Sequence, residues 1–230
     1  MKRLLALLVV TPLIGCGIPR DPEGTLERVT GGSMRVGVTA ADPFTILEGD
    51  EPTGGVEVRL VEDFAASIDA EIEWVTGSEE ELFGALEVRE LDLVVGGITS
   101  TNPWSANVTF THPYLTTFAT VGVTEQDHAD DDIAGMEVAV EAGTDLAGLL
   151  EKTDAEVALV DDITAVEGAA AVESWLLDDL GLHDSGIRLK ESDHVLAVTH
   201  GENAWLVALE RFLLERPDEI EQLLDEEGQP

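Results

Sequence analysis

The sequence contains very little cysteine and few basic residues. Cys16 is the one cysteine among 230 residues, so no disulfide can form within the chain. Lysine and arginine number 12 against 48 aspartates and glutamates, which gives a formal net charge of −36. This charge excludes nucleic acid and anionic membrane surfaces as partners held by nonspecific attraction.

The sequence also lacks the residue patterns of common catalytic sites. It has no Walker loop, nucleophile elbow or paired-carboxylate motif, and its five histidines are scattered without the spacing of metal ligands. We therefore predict that the protein is not an enzyme and holds no metal and no cofactor. Hydrophobic residues make up 44% of the chain, which is ample for a folded core.

Residues 1–16 have the pattern of a secretory signal. Two basic residues, Lys2 and Arg3, precede a short apolar run that is too short to span a bilayer. The run ends in Leu13-Ile14-Gly15-Cys16, which matches the bacterial lipobox. This resemblance implies cleavage before Cys16 and lipid attachment to its sulfur. Membrane contact would then occur through the lipid alone, with the polar residues 17–32 as a tether.

The acidity of the chain has two possible explanations. Removing the two basic residues with the signal takes the net charge from −36 to −38. The carboxylates could form a solvated surface adapted to high salt, where self-repulsion is screened, or a field that draws cations into a cleft. Because the acidic residues are spread along the chain, we favour the surface explanation.

Hydrophobic periodicity predicts alternating strands and helices in the first half of the chain. Ser78 precedes Glu81 by three residues, which is the capping-box spacing of a helix start. The β-α-β-α-β order indicates a mostly parallel sheet covered by helices. The predicted strands are 34–38, 70–75 and 91–95, and the helices are 56–68 and 78–88.

The second half repeats this alternation with shorter segments. We predict strands at 136–140, 157–160, 186–189 and 195–198 and helices at 145–152, 163–171, 203–215 and 218–225. Residues 175–180 could form a helix as well.

The stretch Leu93–Tyr114 carries the most informative pattern in the sequence. A buried-type strand ends at Gly96-Gly97, and four short hydrogen-bonding side chains follow it at 99–102. Ligands of open α/β sheets bind at the carboxyl ends of strands, where these side chains lie. Read from spacing alone, the stretch could equally be a strand, a polar loop and a second strand.

The same stretch resembles the solute-binding proteins of ABC importers that capture polar amino acids. These are the bacterial extracellular solute-binding proteins of family 3, or type II periplasmic binding proteins. The match consists of Gly97-Ile98-Thr99-Ser100-Thr101 and, at the separation found in that family, Phe110-Thr111-His112-Pro113-Tyr114. The resemblance implies a two-lobed α/β fold. Each lobe would be a mostly parallel sheet flanked by helices, with the ligand cleft between the lobes.

The resemblance also implies the division of the chain and the walls of the cleft. Lobe 1 would comprise residues 33–117 and 191–230, and lobe 2 residues 118–190. Phe44, Gly97, Thr99 and Trp104 would line one wall, and Thr144 and Asp178 the other. Asp178 would stand where the family has a strand-end aspartate that accepts the ligand ammonium, although it could also lie on a helix.

One departure from the family pattern bears on the ligand. An arginine seven residues after the glycine grips the ligand carboxylate in the amino-acid binders, and here that position is Trp104. Trp104 could present a cation–π face to a ligand or act as a hydrophobic plug. The loss of the arginine predicts a cationic or neutral ligand without an essential α-carboxylate.

The resemblance therefore implies an extracytoplasmic, lipid-anchored, monomeric protein that captures a small amino-acid-like or cationic solute for an ABC importer permease. One alternative is a sensor or surface module with a degenerate cleft and no transport role. Another is a dehydratase-like enzyme on the same scaffold, which the missing arginine disfavours because such substrates carry carboxylates.

Overall fold

The structure is a computed structural model that describes residues 21–124, 133–165 and 168–228. The predicted signal, lipobox and lipidated Cys16 lie outside these residues. Within the described ranges, no helix is both long enough and apolar enough to span a bilayer.

The chain forms its elements in the following order. The first part contains α1 (Thr25–Val29), β1 (Ser33–Val38), β2 (Ile46–Glu48), β3 (Glu51–Gly54), α2 (Val56–Ser67), β4 (Glu71–Thr76), α3 (Glu79–Glu87), β5 (Leu93–Val95) and β6 (Thr109–Phe110). The middle part contains β7 (Leu115–Val123), β8 (Glu137–Glu141), α4 (Asp145–Leu150), β9 (Glu156–Val160), β10 (Ala169–Glu173) and β11 (His183–His194). The last part contains β12 (Ala197–Val198), α5 (Asn203–Leu214) and α6 (Pro217–Glu227).

Two five-stranded sheets divide the protein into two lobes. The sheet of lobe 1 has the order β4-β1-β5-β12-β6, and the sheet of lobe 2 has the order β11-β7-β10-β8-β9. In each sheet four strands run in one direction and a single strand, β12 or β7, runs against them. The predicted two-lobed α/β fold with mostly parallel sheets is confirmed.

Local signals in the sequence fix many of these elements. The predicted helices at 56–68 and 203–215 correspond to α2 and α5, because both carry an apolar face at helical spacing. Helix α3 begins with the predicted capping box. The backbone N–H of Glu81 donates to the Ser78 hydroxyl at 3.4 Å, and the Ser78 N–H donates to the Glu81 carboxylate at 3.0 Å.

Two predictions differ from the structure. The helix predicted over 163–171 is wrong, since residues 163–165 form one 3₁₀ turn and 169–173 form β10. Ala169–Ala171 favour a helix locally, but they lie in a strand held between β7 and β8, where Ala170 and Ala171 are buried. The predicted tether also differs, because α1 lies within it and the Val29 side chain is fully buried in the lobe 1 core.

Asp92 connects α1 to the sheet of lobe 1. Its side chain is 3% exposed and accepts from the guanidinium of Arg28 at 2.5 Å and from that of Arg35 at 2.7 Å. Its carbonyl accepts from the indole N–H of the fully buried Trp205 at 2.9 Å. Burial raises the pKa of Asp92, but the hydrogen bonds from Arg35 and Arg28 together lower it by more. The net shift of the pKa is therefore downward.

We expect Asp92→Asn to reduce the free energy of unfolding by about 2 kcal/mol at neutral pH. Breaking a buried ion pair costs about 3–5 kcal/mol, and the partly exposed arginines reduce this figure. Because the pKa of Asp92 is lower in the folded state, its carboxylate stabilises the fold at any pH above the ordinary aspartate pKa. This stabilisation is lost as the pH falls through the folded-state pKa. Urea denaturation should therefore show the wild type and the variant converging in acid. The exposed Asp63→Asn is the control with the same change in charge.

Candidate functional site

Two chain crossings connect the lobes and lie side by side. The first runs from β6 into β7 through Tyr114, and the second runs from β11 into β12 through His194. The Tyr114 N–H donates to the His194 carbonyl at 3.0 Å, and Thr99 forms an isolated antiparallel bridge with His194. The loop after β5 is therefore fixed against the hinge between the lobes.

The buried carboxylate of Glu57 fixes the glycine turn that ends β5. It accepts from the backbone N–H groups of Gly96 at 2.6 Å and Gly97 at 3.0 Å and from the Tyr114 hydroxyl at 2.6 Å. Gly97 has φ 63°, and a Cβ there would stand 3.1 Å from that of Ala41. Burial raises the pKa of the Glu57 carboxyl, and these three hydrogen bonds offset the rise only in part.

A cavity of about 430 Å³ lies between the lobes, directly after this turn. Lobe 1 contributes the hydroxyl side chains of Thr99, Ser100 and Thr101. Lobe 2 contributes Asp145, the first residue of α4, and the end of β11 contributes Lys190–Asp193. The cavity therefore lies at the carboxyl end of β5, and ligand binding there stays a prediction.

The lobe 2 side of the cavity carries more carboxylates than cations. The Lys190 ammonium contacts the Asp145 carboxylate at 2.9 Å, and Glu191 and Asp193 also line the cavity. Burial raises the pKa of Glu173, the last residue of β10, and the charge of Lys190 offsets this rise only in part. The cavity therefore favours a ligand that carries positive charge.

Lobe 2 also contains a smaller pocket of about 100 Å³, whose lining residue Thr144 directly precedes Asp145 of the cavity. Thr144 and Glu173 line it together with the apolar side chains of Leu146, Ile163 and Leu176. Its apolar lining fits a short aliphatic group.

The structure places the predicted site residues in different surroundings. Thr99 lines the interlobe cavity, Gly97 lies two residues before it, and Thr144 lines the small pocket. The Thr144 hydroxyl donates to the Glu141 carbonyl at 2.8 Å. Asp178 lies in an exposed turn, five residues beyond the end of β10. Glu173, and not Asp178, is the carboxylate at the end of β10. The ligand contact expected of Asp178 stays a prediction.

The aromatic side chains expected in the cleft are occupied by other contacts. Phe44 is 5% exposed, with its ring stacked on His194 at 4.1 Å and edge-on to Trp175 of lobe 2 at 5.9 Å. The Trp104 ring lies parallel to the buried Phe83 ring at 5.5 Å. Of the two alternatives for Trp104, this contact favours the hydrophobic plug.

His194 is buried within this interlobe aromatic group. Its Nε2 lies 2.9 Å from the Thr117 hydroxyl, while its Nδ1 has no hydrogen-bond partner among the described residues. Burial lowers the pKa of His194 to about 4, and the Lys190 charge lowers it too. The imidazole is therefore neutral at neutral pH and packs as an aromatic ring.

Sequence reasoning missed Asp145, Lys190 and Glu173 as parts of the site. Asp145 and Lys190 are 45 residues apart, and they meet only because α4 and β11 pack together. Glu173 could have been found from the apolar run that ends in it, had 169–173 been interpreted as a buried strand.

Residues 34–225 match the family described as bacterial extracellular solute-binding proteins, family 3. The chain is 32% identical over 115 residues, 49% of its length, to PatH of Vibrio harveyi, which is named for amino-acid ABC transporter binding. It is 25% identical over 166 residues, 67% of its length, to the L-arginine-binding protein of Pseudomonas aeruginosa.

These matches cover 46% and 64% of the two relatives, so the chain spans about half to two thirds of their lengths. Among solved structures, the fold is similar to the L-cystine solute receptor of Neisseria gonorrhoeae in its unliganded open conformation. That comparison has a TM-score of 0.69 at 17% identity and covers 88% of this chain and 94% of the receptor.

Proposed function

The chain belongs to the bacterial extracellular solute-binding proteins, family 3, and from this premise we propose that it captures a small amino-acid-like or cationic solute between its lobes. The observation that carries the proposal is the interlobe cavity with hydroxyl groups on one side and an excess of carboxylates on the other. The names of the Vibrio and Pseudomonas relatives support an amino-acid ligand. Capture follows if the ligand contacts both lobes and so stabilises the closed form.

We further propose that the protein is an extracytoplasmic lipoprotein that delivers this solute to an ABC importer permease. Family membership supports the location and the transport role. The lipobox at Cys16 supports the anchor. We propose a binding role without catalysis, which the names of the Vibrio and Pseudomonas relatives support.

A sensor or surface module without a transport role is the second candidate. It is supported by the two aromatic side chains that are expected to contact a ligand but are engaged in packing with other rings. Trp104 packs against Phe83, and Phe44 is enclosed by His194 and Trp175.

A thermal-shift screen in molar salt with amino acids, polyamines, betaines and sugars tests the proposal. A ligand at one hundred times its Kd adds about 2.7 kcal/mol of stability, and for a domain of this size that raises Tm by about 5–10 °C. We expect this shift with cationic amino-acid-like compounds. No shift across the panel in a well-folded sample would contradict capture and favour the second candidate.

We expect Thr99→Val to weaken binding of a ligand identified in this screen by about threefold to tenfold. The substitution removes one hydroxyl from the cavity, and a neutral hydrogen bond contributes about 0.5–1.5 kcal/mol. Isothermal titration calorimetry measures the change, and Thr53→Val, on the exposed strand β3, is the matched control. Equal affinities for the wild type and the Thr99 variant would contradict a hydrogen bond between the Thr99 hydroxyl and the ligand.

A further inference from the structure

Among the residues that the structure describes, those on the lobe 1 side of the cavity offer no cation to a ligand carboxylate. The arginine position of the resembling family holds Trp104, whose ring packs against Phe83. Thr99, Ser100 and Thr101, which line the cavity from this side, carry only hydroxyl groups. A carboxylate bound here would lack the charge-assisted partner that compensates its desolvation.

Lys190 supplies a cation from the opposite direction. Among the residues that the structure describes around the cavity, it is the one basic side chain. It lies on β11 four residues before His194, and its side chain is 35% exposed. Its ammonium can therefore reach a molecule in the cavity. The strand that carries Lys190 leads directly into the hinge at His194.

The present partner of Lys190 can give way to a ligand. The Asp145 side chain is 64% exposed, and a solvent-exposed ion pair contributes only about 0–1 kcal/mol. A ligand carboxylate can take the place of the Asp145 carboxylate on the ammonium. Asp145 and the partly buried Glu173 then remain as acceptors for the positive groups of the same ligand.

We propose that Lys190 binds the ligand carboxylate, so that the cleft selects cationic amino acids over amines of the same length that lack a carboxylate. This inference rests on the proposed function and specifies its ligand class. It reverses the expectation from the missing arginine that a carboxylate is not essential. In this proposal the cation that determines specificity is Lys190 on β11, and not an arginine on the lobe 1 side of the cleft.

Calorimetric titration with L-arginine and with agmatine, which is arginine without its carboxylate, tests the inference. A hydrogen bond to a charged group is worth about 1.5–3 kcal/mol. We therefore expect Lys190→Met to weaken L-arginine binding by about tenfold to a hundredfold. Agmatine binding should stay unchanged or tighten, because a positive charge has left the cavity. Lys190→Arg, which keeps the charge, should retain the preference for L-arginine.

Lys152→Met is the matched control, since Lys152 is exposed just beyond α4 and outside the cavity. It should change neither affinity. Equal losses for both ligands in Lys190→Met, or no loss for either, would overturn the role of Lys190 while leaving solute capture intact. A wild-type protein that binds neither compound would overturn the inference, and silence across the wider panel would overturn the proposed function as well.

Discussion

Replacing Glu57 with alanine is expected to lower the free energy of unfolding by about 4 kcal/mol. The substitution leaves the N–H groups of Gly96 and Gly97 and the hydroxyl of Tyr114 without their common acceptor. Each buried group left unsatisfied costs about 1–3 kcal/mol. Urea denaturation followed by tryptophan fluorescence measures the loss, which for a chain of this size should also lower Tm by about 8–16 °C.

The control for this prediction lies on the same helix. Glu62 is exposed on α2 and forms a surface pair with Arg59 at 3.6 Å, so Glu62→Ala should cost about 0–1 kcal/mol. Tyr114→Phe removes a single donor and should fall between the two. A loss below about 1 kcal/mol for Glu57→Ala would contradict the network as a stabilising element.

The Glu57 network also shows how a local motif becomes a site. The sequence alone indicates that Gly96-Gly97 ends a strand and that hydrogen-bonding side chains follow. It does not indicate that a carboxylate on α2, about 40 residues earlier, holds this turn against the hinge tyrosine. That carboxylate fixes the turn from which the loop with Thr99–Thr101 continues into the cavity.

Prediction from the sequence succeeded where the deciding interactions are local. The capping box of Ser78 and Glu81 lies within one helical turn, and the apolar faces of α2 and α5 repeat at helical spacing. It failed over 163–171, where pairing with β7 and β8 outweighs the helix propensity of the alanines. The strand that forms there ends at Glu173, whereas the resemblance places a strand-end carboxylate at Asp178.

The same distinction applies to the two sides of the cleft. The lobe 1 side comes from consecutive residues, so a sequence motif identifies it. The lobe 2 side combines α4 and β11, with β10 in the small pocket, and its charges meet only through packing. The missing arginine was therefore visible in the sequence, whereas Lys190 required the structure.

The acidity of the chain leads to the second large effect. The chain carries a net charge of −36, and its acidic residues continue into exposed faces such as that of α6. The Debye length falls from about 30 Å at 0.01 M salt to about 3 Å at 1 M, so salt screens repulsion between these charges. We expect Tm to rise by about 10 °C over this range, which corresponds to about 3–5 kcal/mol for a chain of this size. A flat or falling Tm would contradict a surface adapted to high salt.

The α6 pair Glu221 and Asp225 provides the variant that separates screening from general salt effects. These exposed carboxylates are four residues apart on one helical face, where like charges are destabilising. Glu221→Gln combined with Asp225→Asn should raise Tm at low salt and reduce the further gain from sodium chloride. Exclusion of salt from the protein surface would instead stabilise the wild type and the variant equally. If Tm of the variant rises with salt as much as that of the wild type, the rise comes from exclusion of salt from the surface. Charge repulsion on α6 would then not contribute to the rise.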